Sequence, residues 1–297
     1  MKFVGADLHK QSITFCVVEK VRGRIQLVTR KRLMCSRMGQ IRQFLGSLGR
    51  FQVVVEATIG YDWFAALAEE SAERVVIAHA GKLRIIAEST RKTDKIDAWI
   101  LAEFLAHDMI PEAWRPTPRV RSHRSLVRRR QKIQSRITSI KNTIRGLLTR
   151  YNADRKDLFT QKGRKAIEKL KMLAEERWVL EDLREDLDQA SARLKAVDRR
   201  LVEFAVKAPQ KEQEARAVLA TMPGMGPVTI ETILAELGDW ERFRCALAFV
   251  AFAGLDPGVR VSDGRRRDLK LTKAGSPLLR WILIQLAHRV KRTSARW

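Results

Sequence analysis

The sequence FVGAD at residues 3–7 decides the fold, because it is a short apolar run that ends in an acid. Such a run predicts a buried β-strand with a carboxylate at its end. Two runs rich in β-branched residues, 13–18 and 25–29, predict two more strands with a turn at Arg22-Gly23 between them. The chain is therefore expected to begin with three adjacent strands.

The segments that follow alternate between helix and strand signals. They predict helices at 41–48, 63–72 and 94–107, and buried strands at 53–55 and 75–77. Strands that are first adjacent and then separated by helices predict a mixed α/β sheet. Because Pro111, Pro116 and Pro118 indicate a linker, we assign residues 1–113 to an α/β domain.

Residues 114–208 are predicted to be helical. Apolar residues recur every three or four positions in two runs separated by a break at 152–163: Leu126, Ile133, Ile137, Ile140, Ile144, Leu147, and then Leu180, Leu183, Leu187, Ala190, Leu194, Val197, Leu201, Phe204. The second run alternates steps of three and four over about four heptads, which is typical of a coiled coil. The spacing fits equally a helical hairpin within one chain and a coiled coil between chains.

Residues 209–297 predict a small all-α domain, with short helical stretches broken by glycine-rich turns. Between two of these helices, Pro223-Gly224-Met225-Gly226 would expose backbone N–H groups at a helix N-terminus, where a phosphate can bind. Helix-hairpin-helix modules hold DNA with such a turn, although it could also be a simple tight connection. A glycine-bounded loop with Ser262 precedes the last predicted helix.

The charge of the chain is unevenly distributed. The 297 residues include 58 Lys and Arg against 34 Asp and Glu, a net charge of +24, while 45% are hydrophobic and can fill a core. Residues 114–153 contain 12 bases and no acid, and residues 257–297 contain 11 bases and two acids, so these segments carry 21 of the net charges. An excess of this size argues for a polyanionic partner over a neutral metabolite. Nucleic acid is the usual polyanion, and an anionic membrane is the alternative.

Other classes of protein are disfavoured by the sequence. No run approaches 18 apolar residues, and the first twenty residues are interrupted by polar side chains, so we expect no membrane segment, no signal peptide and a cytoplasmic protein. The three cysteines and five histidines are scattered, which argues against disulfides and a thiolate zinc site. A bound metal would therefore need carboxylate ligands.

Four acids of the α/β domain could form such a site. Asp7 and Glu56 end the first and fourth predicted strands, while Asp94 and Asp97 share one face at the start of a helix. If the first and fourth strands are neighbours, Asp7 and Glu56 lie side by side. Oxygen-rich sites select Mg²⁺ or Mn²⁺, and two such ions can hold the attacking and leaving oxygens of a phosphodiester displacement. Arg91 and Lys92, next to the helix acids, would hold a phosphate backbone nearby.

The Ser262 loop is the second candidate for chemistry. A serine hydroxyl could attack phosphorus there, because Arg265, Arg266 and Arg267 would stabilise the charge that develops. Most loop serines only form turns, so the loop alone is weak evidence.

The chain resembles the DEDD transposases of the insertion-sequence one-ten family, relatives of the Piv-type invertases, over nearly its whole length. In the N-terminal half the resemblance rests on Gly5-Ala6-Asp7-Leu8-His9-Lys10, Glu56-Ala57-Thr58-Ile59-Gly60-Tyr61 and Lys92-Thr93-Asp94-Lys95-Ile96-Asp97-Ala98. In the C-terminal half it rests on Pro223-Gly224-Met225-Gly226, Glu236-Leu237-Gly238-Asp239, Arg242-Phe243, Ala253-Gly254-Leu255-Asp256-Pro257, the Ser262 loop, Lys273-Ala274-Gly275-Ser276 and Leu279-Arg280. Ile59 and Ser276 depart from the family pattern, and Ser276 offers a second serine.

The resemblance implies a RuvC-like, ribonuclease H-like domain with a DEDD site at Asp7, Glu56, Asp94 and Asp97, and a transposase domain whose nucleophile is Ser262. It implies a phosphoserine link to DNA, activation by Mg²⁺ and a tetramer, assembled from dimers, whose active site combines domains of different protomers. A structured non-coding bridge RNA would join donor and target DNA. The nucleic-acid contacts we expect are Arg91, Lys92, Arg121, Arg124, Arg128, Arg129, Arg130, Gly224, Gly226, Arg265, Arg266, Arg267 and Lys273.

Two other functions remain open. One is a metal-dependent junction nuclease in which water attacks and Ser262 is structural. The other is a non-catalytic nucleic-acid scaffold in which the acids only support the fold.

Overall fold

The computed structural model describes residues 1–58, 60–86, 94–262 and 265–293, with the backbone alone at 84–86, 94–96, 260, 261, 266 and 293. The chain divides into two compact units, Met1–Arg115 and Pro116–Trp297. None of the described helices combines the length and the apolar character needed to cross a membrane.

The first unit is built on one five-stranded mixed sheet. Its strands are β1 (Lys2–Leu8), β2 (Ser12–Val21), β3 (Arg24–Met34), β4 (Phe51–Glu56) and β5 (Arg74–Ala78), in the spatial order β3-β2-β1-β4-β5. The hairpins β1–β2 and β2–β3 are antiparallel, whereas β4 pairs in parallel with both β1 and β5. The mixed sheet predicted from the sequence is confirmed. The first and fourth strands are neighbours, which is the condition under which Asp7 and Glu56 were expected side by side.

Helices cover both faces of this sheet. They are α1 (Met38–Gly46), α2 (Tyr61–Ala68), α3 (Ala80–Ile86) and α4 (Asp94–Ala106). The buried side chains of Val4 and Ala6 pack in one cluster with Ile41, Leu45 and Phe64 of α1 and α2. Successive side chains of a strand point to opposite faces, so Gly5 and Asp7 lie on the other face, which α4 covers.

Gly5 lets α4 lie directly on β1. A Cβ atom at Gly5 would stand 2.0 Å from the carbonyl oxygen of Ala98 and 2.6 Å from the nitrogen of Ala102. Any side chain larger than hydrogen would therefore push the helix away from the strand. The close approach fixes the height of α4 above the sheet and, with it, the position of the helix start.

The second unit begins with a long helical hairpin. Thr117 caps the N-terminus of α5 (Pro118–Thr149), and α6 (Gln161–Glu168) lies in the connection to α7 (Ala174–Val206). The two apolar runs predicted for residues 126–204 meet each other, because Ile137, Ile140 and Ile144 of α5 pack in one cluster with Leu180 and Leu187 of α7. The two runs therefore form a helical hairpin within one chain, and a coiled coil between chains stays a prediction.

The rest of the second unit contains four helices and a β-hairpin among its described residues. The helices are α8 (Gln210–Ala220), α9 (Pro227–Leu237), α10 (Ala246–Phe252) and α11 (Pro277–Thr293), and the strands are β6 (Pro257–Ser262) and β7 (Arg265–Leu271). The prediction that residues 209–297 are all helical is therefore wrong at 257–271. The alternation of Val259 and Val261 with polar residues has the two-residue period of a strand, and Asp-Gly at 263–264 is a strong sequence signal for a hairpin turn.

Candidate active site

Two of the predicted acids lie side by side at one edge of the sheet. The register pairs Ala6 of β1 with Val55 of β4, so the next residues along these parallel strands, Asp7 and Glu56, are neighbours. Adjacent strands are about 4.8 Å apart. Both carboxylates lie on the face that α4 covers, because each follows by two positions a residue of that face, Gly5 and Val54 respectively.

Helix α4 brings the remaining two acids to the same edge. Its C-terminal half packs near Phe3, and Ala98 lies over Gly5, so the helix runs towards Asp7 as it is followed back to its N-terminus. Asp97 is the residue before Ala98 and is half-buried. The helix begins at Asp94, which places its backbone at this edge, although the side chain lies outside the described residues. Arg91 and Lys92 also lie outside the described residues.

Three residues beside this row of acids were not predicted. His9 follows Asp7 on the same face, and its Nε2 lies 3.0 Å from Oδ2 of Asp7. The register then continues outward from Asp7 to Thr14 of β2 and from Thr14 to Arg32 of β3. Thr14 and Arg32 come beside Asp7 through the register of the strand pairs. The sequence predicted the strands but not this register, so it did not identify these residues. We call Asp7, Glu56, Asp97 and the start of α4 the acid row.

The donors of the acid row suit a hard cation. They are carboxylate oxygens, the ligands that Mg²⁺ and Mn²⁺ prefer. The hydroxyl of Thr14, next to Asp7, is buried and has no hydrogen-bond partner among the described residues, so the structure leaves a polar atom there for a further group to satisfy. Among the described side chains, no three acids, histidines or cysteines are close enough to hold one ion. The side chain of Asp94 lies outside this described set.

Ser262 lies at the tip of the β6–β7 hairpin in the second unit. It is exposed, ends β6 and pairs with Arg265, which begins β7. Arg265 and Arg267 are exposed on β7, whereas the side chain of Arg266 is not described. The hairpin thus presents the serine hydroxyl and two guanidinium groups to solvent, in a geometry that a phosphate could reach.

Comparison with known proteins decides the family. A family profile for DEDD transposases of the IS110 type matches residues 4–153. A second profile, "Transposase IS116/IS110/IS902 family", matches residues 216–297. The chain belongs to the IS110 family of transposases. Such a transposase is a DNA-processing enzyme that acts in transposition, and the resemblance seen in the sequence is confirmed at that level.

Two relatives extend the similarity over nearly the whole transposase. The "Probable family 20 transposase" of Pseudomonas aeruginosa is 26% identical over 98% of this chain and 85% of its own length. The "Transposase for insertion sequence element IS1111A" of Coxiella burnetii is 24% identical over 98% of this chain and 78% of its own length.

Several arginines of α5 that we expected on nucleic acid are engaged inside the second unit of the transposase. Arg124 donates to the carbonyls of Ala235 and Glu236 at the C-terminus of α9, at 2.9 and 2.7 Å. Arg128 forms a two-pronged ion pair with the buried carboxylate of Glu236, at 2.8 and 2.9 Å. Arg130 pairs with Asp198 of α7 at 2.6 Å. Arg121 is half-buried and Arg129 is exposed.

These contacts explain why the acid-free segment 114–153 can pack tightly. Its charges are neutralised by acids from helices that are distant in sequence, and positive groups at the end of α9 also suit the helix dipole. Burial raises the pKa of Glu236, but its contacts with Arg128, Arg124 and Ser276 together outweigh burial, so the pKa of this carboxyl is lowered. The contacts of Arg124, Arg128 and Arg130 are thus first of all structural.

A second buried ion cluster joins α5, α8 and α9. Nε2 of His123 lies 2.8 Å from Oε2 of Glu231, and Arg216 donates to both oxygens of Glu231 at 2.7 and 2.9 Å. Burial raises the pKa of Glu231, but its contacts with His123 and Arg216 outweigh burial and hold the pKa at about 2, below the ordinary 4.5. This carboxylate ties three helices together and was not predicted.

The glycine-rich turn and the second serine also have defined places in the transposase. Gly224 and Gly226 lie between α8 and α9 as predicted, with Gly224 at a φ of 80° and Gly226 at the N-cap of α9. Ser276 caps α11, because its Oγ accepts a hydrogen bond from the N–H of Leu279 at 3.3 Å. Lys273 is exposed in the preceding turn. The side chain of Ser276 also hydrogen-bonds the carboxylate of Glu236 and helps to lower the pKa of that group.

Proposed function

We propose that the acid row is the catalytic centre of a RuvC-like domain, and that the transposase exchanges DNA strands with Ser262 as its nucleophile. The observation that carries the proposal is the register of β1 and β4 together with the packing of α4 on Gly5. These two features gather Asp7, Glu56, Asp97 and the first residue of α4 at one edge of one sheet face.

The chemistry of the acid row follows from its charges. Four carboxylates at one edge repel one another unless cations lie between them, so we assign Asp7, Glu56, Asp94 and Asp97 as the ligands of divalent metal. Bound Mg²⁺, or Mn²⁺, would supply Lewis-acid polarisation of a phosphate oxygen. His9, 3.0 Å from Asp7, holds the orientation of that carboxylate.

The step assigned to Ser262 is a phosphoryl transfer. The hydroxyl loses its proton, a bond forms from Oγ to phosphorus, and the bond from phosphorus to the leaving strand breaks, with the leaving oxygen taking up a proton. Arg265 and Arg267 stand on the adjacent strand to stabilise the charge that develops. Attack of another strand's hydroxyl on the phosphoserine then restores the serine and completes the exchange.

Trapping of a covalent adduct tests this proposal against its alternatives. We expect wild-type protein to leave a protein–DNA adduct that survives denaturation, and Ser262→Ala to leave none. Cleavage retained in Ser262→Ala without an adduct would favour the junction nuclease in which water attacks. Cleavage that is the same in Asp7→Asn and Asp97→Asn as in wild type would remove the acid row from the chemistry.

The remaining parts of the proposal concern partners. We propose that donor and target DNA are joined by a structured bridge RNA on a homo-oligomer, and that Gly224, Gly226, Arg129 and Lys273 contribute nucleic-acid contacts. Co-purification tests the RNA. We expect one discrete RNA species that is released steeply as salt rises, because many phosphate contacts are lost together. Random fragments, with activity independent of added RNA, would contradict a guide.

A further inference from the structure

A third basic segment lies in the first unit, outside the two found by counting charges. Between Glu19 and Glu56 the chain contains nine bases and no acid, and seven of the nine fall within residues 20–37. Glu70 and Glu73 pair with the last two, Arg42 and Arg50. Most of the other seven are carried by β3 or the turns that flank it.

Strand β3 is placed to present these charges. It is the outermost strand of the sheet, bonded to β2 on one side, and nearly all of its residues are exposed or half-exposed. Its last residues lie at the same sheet edge as the turn after Asp7, because the N–H of Cys35 donates to the carbonyl of Gln11. The positive end of β3 and the acid row therefore share one edge of the sheet.

Arg32 stands in line with the acid row. It pairs with Thr14, which pairs with Asp7, so the three side chains lie on the face that α4 covers. Two strand spacings put the Cα atoms of Arg32 and Asp7 roughly 10 Å apart. Nε and Nη2 of Arg32 donate to the hydroxyl of Ser12, at 3.3 and 3.0 Å, which holds the guanidinium at this edge.

Arg30 continues the line away from the edge. It is two positions before Arg32 and therefore on the same face, where its guanidinium lies 5.5 Å from the ring centroid of Trp99 in α4. The buried hydroxyl of Thr14 lies between this basic strand and Asp7. On the sheet face that α4 covers, the side-chain charge therefore changes from positive at Arg32 of β3 to negative at Asp7 of β1.

We propose that Arg32, with Arg30 behind it, binds the phosphodiester backbone of the DNA strand on which the acid row acts. Carboxylates repel phosphate, so a site built of acids needs cationic groups nearby to hold the strand, and arginine binds phosphate with two parallel hydrogen bonds. The inference rests on the proposed function of the acid row.

The salt dependence of DNA binding tests this inference. A labelled double-stranded DNA of about 30 base pairs is titrated with the full chain in EDTA, at about 50 and about 200 mM salt. The affinity at the lower salt concentration divided by that at the higher one falls by about 3.5-fold for each phosphate contact that is removed. This follows because the slope of log affinity against log salt concentration changes by about 0.9 per contact. We expect this reduction for Arg32→Gln, and a slope near that of wild type for Arg32→Lys, which keeps the charge.

The matched control is Arg42→Gln, which removes one positive charge from α1 on the opposite face of the sheet. Arg32 is exposed, and a glutamine can still donate to Ser12, so we expect the variant to fold, which its thermal unfolding checks. An unchanged slope for Arg32→Gln, or an equal change for Arg42→Gln, would overturn the inference. A change seen with RNA of the same sequence but not with DNA would overturn the assignment to DNA.

The same samples separate this inference from the proposed function. If Asp7→Asn cleaves DNA as wild type does, the proposed function fails. The salt dependence of DNA binding by Arg32→Gln still tests the contact of Arg32 with the DNA backbone. If Asp7→Asn is inactive and Arg32→Gln binds with an unchanged slope, the acid row stands and the inference about β3 fails.

Discussion

The contact between Gly5 and α4 gives the sharpest prediction for the first unit. A Cβ atom at position 5 would stand 2.0 Å from the carbonyl oxygen of Ala98, and real Cβ contacts essentially never fall below 3.0 Å. In Gly5→Ala, α4 must therefore move away from β1 by about 1 Å. Overpacking of this kind destabilises a core by about 1–3 kcal/mol. The start of α4, with Asp97, moves together with the helix.

We expect Gly5→Ala to lose activity beyond what its lost stability explains. A displacement of about 1 Å in a catalytic site can lower the rate by about 100-fold. Thermal unfolding reports the stability, and cleavage of labelled DNA at a temperature where both proteins remain folded reports the activity. Gly46→Ala is the matched control, because no atom lies within 4 Å of a Cβ built there.

Two results would refute this reasoning. An unchanged melting temperature in Gly5→Ala would mean that α4 does not lie against β1 as closely as described. A lowered melting temperature with full cleavage activity would mean that the position of Asp97 relative to Asp7 does not matter for the reaction.

Three further predictions concern other parts of the chain. Because the pKa of Glu231 is lowered from 4.5 to about 2, its ionisation stabilises the fold fully above about pH 4.5 and progressively less as the pH falls towards 2. Between pH 4.5 and about 2, the free energy of unfolding of the wild type should fall by about 3 kcal/mol more than that of Glu231→Gln, as measured by urea unfolding. Ser276→Ala should lower the stability by about 1 kcal/mol through the lost cap of α11 and still form the DNA adduct, whereas loss of the adduct would make Ser276 part of the chemistry. Mixing inactive Asp7→Asn with inactive Ser262→Ala should restore strand exchange if the acids and the serine come from different protomers, and no recovery would contradict that assembly.

Local patterns were enough to predict most of the elements. The runs at 3–7 and 53–55 lie in β1 and β4, as predicted, because a short apolar segment bounded by polar residues is typical of a buried strand. The adjacency of β1 and β4, which brings Asp7 beside Glu56, was predicted only as a condition and is confirmed by the sheet order.

Features that depend on long-range pairing were not predictable in the same way. The role of Arg124 and Arg128 depends on α9, more than 100 residues away in the sequence, which supplies the carbonyls and Glu236. Counting charges along the segment 114–153 therefore does not show which of its bases have partners within the protein. The same count missed the basic strand β3, because acids between Glu56 and Glu112 offset its charge in the total.

The hairpin that carries Ser262 shows a different limit. Its strands are short and rich in arginine, so their two-residue period was concealed by charge, and the glycines suggested a loop. The pairing of Ser262 with Arg265 decides that the serine stands at a hairpin tip.

Metal-dependent cleavage by an Asp7 variant tests the central claim most directly. Asp7→Asn removes a carboxylate of the acid row, and its control, Asp108→Asn, removes an exposed carboxylate just beyond the opposite end of α4. With Mg²⁺ and labelled DNA, the account predicts that Asp7→Asn loses cleavage by at least about 100-fold while Asp108→Asn cleaves like wild type. Equal cleavage by both variants would contradict the assignment of the acid row as the catalytic centre.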